Sequence, residues 1–87
     1  MTIFGIGWYK KEQWDELRRV SVDCDKLEAT WEEWAANAEE TTIRLMKSGA
    51  QIQKVTVDVN DLVLWCRAQN RPCDGEARAA FVTSHIR

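Results

Sequence analysis

Eighty-seven residues, 45% apolar and 30% charged with a formal net charge of −2, describe one small globular domain over 1–87 and exclude a disordered chain. A chain of this mass buries about 64% of its unfolded surface, enough for a single modest core. No apolar run approaches the roughly 18 residues of a membrane helix, and the leading MTIFGIGWYKK has no signal-peptide core, so a soluble cytoplasmic protein is expected.

Residues 2–6, TIFGI, form a short apolar piece that suits a strand, although Gly5 weakens it. From Lys10 the spacing turns helical: Trp14, Leu17 and Ser21 share a face, with Glu12, Asp15 and Glu16 early and Arg18 and Arg19 late. This predicts a first helix over about 10–21, for which no good N-cap is visible. Asp25 followed by Glu28 resembles a capping box and predicts that the longest helix, about 26–48, begins there. Its apolar stripe runs through Trp31, Trp34, Ala38 and Leu45, expected to pack on the first and third helices, and Gly49 suits its end.

At 52–58 the period drops to two: Val55 and Val57 point one way with Val59, and Lys54, Thr56 and Asp58 the other. A lone strand cannot satisfy its own backbone, so it must pair with 2–6 or with the same strand of a second copy. Asp58 or Asn60 caps a third helix over about 60–69, apolar on most sides through Leu62, Val63, Leu64, Trp65 and Cys66. Asn70, Arg71 and Pro72 stop it, and Asp74–Gly75 opens a fourth helix over about 75–85. The fold class is α+β, mainly α.

Charge is unevenly placed. Residues 21–40 carry seven acidic side chains against Lys26, whereas 41–87 carry seven basic side chains against four acidic ones. Such asymmetry can orient two copies of a chain. Five tryptophans either supplement a thin core or, where one core cannot hide them all, serve an interface or groove; Trp8, Tyr9 and Trp14 near an uncapped end, with Val55 and Val57 on the strand, are the candidate interface or pocket residues, core packing being the competing reading for Trp14.

The catalytic inventory is thin. His85 is the single histidine and lies close to the C-terminal end of the sequence. Cys24, Cys66 and Cys73 are an odd set without a C-x-x-C spacing, read as reduced thiols, and their convergence with His85 on zinc is disfavoured by the seven-residue spacing of Cys66 and Cys73. The four glycines are too scattered to cradle a phosphate. No catalytic residue, metal or cofactor is assigned. The helices 60–69 and 75–85, with Arg67, Arg71, Arg78 and Arg87, offer an alternative reading as a small nucleic-acid-associated regulator, against which the acidic pI near 5.3 argues. A tryptophan-lined small-ligand binder is a third reading.

The segments GWYKKEQW (7–14), LEATWEEW (27–34) and LWCRAQNRPCDGEARAAF (64–81) give the chain as a whole a resemblance to small bacterial proteins with no assigned activity. That resemblance implies a short intact bacterial protein and transfers no functional residue. Taken together, the expectation is a non-enzymatic protein-interaction or self-associating module, most simply a homodimer, with no membrane partner.

Overall fold

A computed structural model describes residues 3–86. Its order is β1 (Ile3–Tyr9), a 3₁₀ turn at Lys11–Gln13, α1 (Trp14–Val20), a second 3₁₀ turn at Cys24–Lys26, α2 (Trp31–Lys47), β2 (Gln51–Val57), α3 (Val59–Ala68) and α4 (Gly75–Ser84). With four helices and a short two-stranded sheet, the fold is α+β and mainly α. The valine strand finds its partner inside the chain: β1 and β2 pair in parallel, in the register Ile3↔Gln51 through Tyr9↔Val57. Parallel strands need a crossover, and α1 and α2 provide it. Thr2 of the anticipated strand 2–6 lies outside the described residues.

Several boundaries differ from the sequence expectation. The first helix is not continuous over 10–21 but a 3₁₀ turn followed by α1, which has no side-chain N-cap. Its preceding residue Gln13 serves α3 instead, since its side-chain oxygen Oε1 accepts from Val59 N at 3.1 Å. The second helix begins at Trp31 rather than 26. Thr30, with extended backbone, accepts from Glu33 N at 3.2 Å and donates its hydroxyl to the Glu33 carboxylate, so the working N-cap lies five residues after Asp25. Between them Glu28 offers its carbonyl to the Trp14 indole at 3.2 Å, and Leu27 is extended, which keeps this stretch out of the helix. The strand at 52–58 runs from 51 to 57, and Val59 opens α3 rather than closing the strand.

Asp58 caps α3 through Asn60 N and Asp61 N, and Asp74 caps α4 through Ala77 N. Gly49 closes α2 at φ +95°, a backbone region where a side chain is strained. Asn70, at φ 57°, turns the chain out of α3 as Arg71 N reaches back to Cys66 O.

The sheet lies between two helices. A Cβ on Gly5 would meet Ile86 and Val82, and one on Gly7 would meet Val82 and Val57, so the glycine side of β1 packs directly on α4. Trp8, on the other side, meets Trp34 of α2 at 5.0 Å between ring centroids. The long helix thus lies mainly against the sheet and reaches α1 through Trp34 stacked on Trp14 at 5.3 Å; the expected seat between the first and third helices is replaced by this one. Leu17, Leu62, Val57, Val59 and Cys66 are the largest fully buried side chains, and they join α1, α3 and β2 into one core with Phe81, Val82 and Ala77 of α4. No helix among the described residues is long and apolar enough to cross a membrane.

Candidate functional site

Four of the five tryptophans gather around Tyr9. Trp34 is the hub, stacked on Trp14, tilted against Trp8 and Trp31, and edge-on to Tyr9 at 5.1 Å. Indole N–H groups need acceptors when covered, and two find backbone carbonyls: Trp31 donates to Tyr9 at 2.8 Å and Trp14 to Glu28. Lys54 lies over the Trp8 ring at 4.3 Å while reaching Glu39 of α2 at 3.5 Å. The tryptophan excess is thus largely absorbed by this single cluster.

The charge asymmetry is likewise engaged inside the molecule. Arg78 of α4 forks onto Asp23 through two bonds of 2.8 Å, and the same guanidinium reaches Ser21 at 3.1 Å. Asp23 also accepts from Gly75 N at 3.1 Å. Only 12% of the Arg78 side chain and 15% of Asp23 are exposed. Hydrogen bonds from Arg78 hold the Asp23 carboxyl below the usual carboxylate range. Burial pushes the nearby Tyr9 phenol up. Acidic segment thereby meets basic segment at Asp23–Arg78 and Glu39–Lys54.

Of the expected interface residues, Val55 and Val57 lie in the core, Trp14 is 2% exposed, Tyr9 is buried with its edge on a small cleft beside α4, and Trp8 is half-buried under Lys54. They form one cluster, but its open side belongs to residues that the sequence reading passed over. A groove of about 490 Å³ runs along β1 where α2 does not cover it, walled by Phe4, Ile6, Leu27, Trp34, Ala38 and Leu45, with Glu28, Asn37 and Thr41 at its rim. Ile3 and Phe4 are each 43% exposed beside it. The signal available in the sequence was the contrast between IFGIGWY, which has no charge, and QIQKVTV, which alternates polar and apolar.

The other candidates are less open to chemistry. The His85 ring nitrogen Nδ1 sits 2.8 Å from Phe81 O and 3.0 Å from Ser84 Oγ, with the ring packed against Phe81. All three cysteines are unpaired; Cys24 is exposed and Cys66 and Cys73 are buried. Burial, with the Cys73 thiol beside it, pushes the Cys66 thiol up to about 11. Among the described residues no group of three or more His, Cys, Asp or Glu side chains is placed to hold a metal ion. For nucleic acid, Arg78 is occupied by Asp23, Arg71 sits 5.7 Å from the Trp65 ring centre, and Arg87 lies outside the described residues.

No family model, curated protein or solved structure matches this chain.

Proposed function

We propose that this chain is a non-enzymatic protein-interaction module whose working surface is the outer edge of β1 together with the groove beside it. One observation carries the reading: the two edges of the sheet are built differently. The outer edge of β2 belongs to a strand that carries Lys54, a charge of the kind by which natural sheets discourage pairing. β1 has no charged or amide side chain from Ile3 to Tyr9, and among the described residues no backbone group outside the sheet bonds to it. Among the described residues the one hydrogen bond reaching β1 from outside the sheet is Trp31 to the Tyr9 carbonyl, at the strand's end. A bare backbone edge above an apolar groove is the surface that strand addition uses.

The test titrates the protein with short uncharged extended peptides, one of them the Ile3–Tyr9 sequence, and follows tryptophan emission and amide exchange across residues 3–9. Saturable protection of β1 is expected, abolished by Phe4→Lys and kept in Leu64→Lys, whose side chain is exposed elsewhere. An unresponsive β1 overturns the reading. The groove also favours a second reading, a small apolar ligand against Trp34, because its volume falls within the range of small-molecule sites. Emission quenching by such ligands without protection of the β1 backbone would mark it.

A further inference from the structure

Tyr9 carries a polar atom that the fold leaves over. Only 7% of the residue is exposed, and a covered phenol ordinarily finds a hydrogen-bond partner. Among the described residues the Tyr9 carbonyl has one, the Trp31 indole, but the Tyr9 hydroxyl has none. That hydroxyl lies 3.7 Å from where a Cβ of Gly7 would stand, on the α4 side of β1. A cleft of about 200 Å³ opens there, lined by Gly7, Tyr9, Leu27, Arg78, Ala79 and Val82. It lies beyond the interaction reading above, which concerns the strand edge and does not depend on it.

The polar side chains of the cleft set what it takes. Arg78 offers only N–H donors, more of them than its bonds to Ser21 and Asp23 use. Burial pushes the Tyr9 phenol up, so it keeps its proton and donates as well. Asp23 balances the Arg78 charge, which leaves no net positive charge to hold an anion. The other side chains at the cleft, Leu27, Trp34, Ala79 and Val82, are apolar. Its volume lies above the ~150 Å³ that admits benzene and below the ~300 Å³ at which drug-sized sites begin. We propose that this cleft binds a neutral, single-ring molecule by its carbonyl oxygen, which accepts from the Tyr9 hydroxyl beside Arg78 while the ring lies against Leu27 and Val82. The ring alone would gain only apolar contact; the carbonyl gives the stranded hydroxyl the partner that the chain withholds.

The test titrates the full ¹⁵N-labelled chain with benzamide, and with toluene as the ring without the carbonyl, and follows backbone amide shifts. Gly7 and Ala79 line the cleft alone, whereas Thr41 lines only the larger groove, so the two places are read separately. Expected are saturable shifts at Gly7 and Ala79 with benzamide and weaker binding of toluene. Tyr9→Phe removes the hydroxyl and should weaken benzamide roughly three- to tenfold, the worth of one neutral hydrogen bond. Its unfolding should be unchanged, because the hydroxyl has no partner within the chain to lose. Ala79→Leu, at an exposed α4 position that tolerates leucine, should block the cleft and abolish the shifts. Circular dichroism confirms that both variants are folded. Absent or unsaturable shifts, equal affinity for toluene, or full affinity in Tyr9→Phe overturns the proposal. Shifts confined to Thr41 place the probe in the larger groove and overturn it too. Each of these leaves peptide protection of the β1 edge, measured apart, as it was.

Discussion

Replacing Asp23 with asparagine removes a charge from a covered pair while nearly conserving volume. Arg78 keeps its place on α4 but exchanges the two-pronged ion pair for at most one bond to the amide oxygen, and Gly75 N loses a charged acceptor. An exposed pair contributes about 0–1 kcal/mol, but leaving one partner of a covered pair uncompensated costs about 3–5 kcal/mol. With 12% and 15% of the two side chains exposed, some water relieves the orphaned guanidinium, and the low end applies, about 3 kcal/mol. For a domain of this size that lowers the melting temperature by roughly 12–24 °C. Urea unfolding followed by tryptophan emission measures it directly. Adding Arg78→Met should return part of the loss, because the uncompensated charge goes with it. The acid limb gives a second check: the folded carboxyl titrates lower than the unfolded one, so its stabilisation is complete above about pH 4 and fades as pH falls through the folded value. A loss under about 0.5 kcal/mol, or a double variant no better than Asp23→Asn, would refute the reasoning.

Three further outcomes follow from the packing. Gly7→Ala places a methyl 2.9 Å from Val82 and 3.3 Å from Val57, two stiff β-branched side chains, and should cost about 1–3 kcal/mol in thermal or urea unfolding. Gly5→Ala should cost less, because the closest atoms, 2.5 and 2.9 Å away, belong to the partly exposed Ile86 side chain beyond the end of α4. Thiol labelling at pH 8 should modify exposed Cys24 at once, while Cys66, with a thiol pushed up to about 11, should react only as fast as the protein opens; mass spectrometry of the labelled peptides reads both. Thr30→Ala should cost about 1 kcal/mol by the same unfolding assay, and Asp25→Ala close to nothing, because Thr30 caps α2.

How much of this was legible in the sequence depended on whether the signal was local. Asp58 and Asp74 cap the helices that follow them because an acceptor just ahead of an apolar helical pattern has one local use. The valine alternation revealed β2 for the same reason. Asp25 and Glu28 carried an equally good local signal and misplaced the start of α2, because a distant indole, that of Trp14, claims the Glu28 carbonyl. β1 read as ending at Ile6 because glycine weakens strands. Its two glycines are instead the condition for α4 to lie close, a fact that resides in Val82 and Ile86 nearly eighty residues later. The tryptophans stood out by number alone, which left core and interface both open; four of them share one cluster. Phe4 and Leu27 at the groove gave no local sign, since a wall is defined by what stands across from it.

The parallel register has a consequence for synthesis. Tyr9 is synthesised 48 residues before its register partner Val57, and at ordinary elongation rates the interval lasts about 2–10 s. Throughout that wait the nascent chain displays both sides of an uncharged, tryptophan-flanked ribbon, while the α1–α2 crossover can only begin to shelter one face of it. An uncharged strand that must wait for its partner is the stretch of the chain most open to wrong pairing during synthesis.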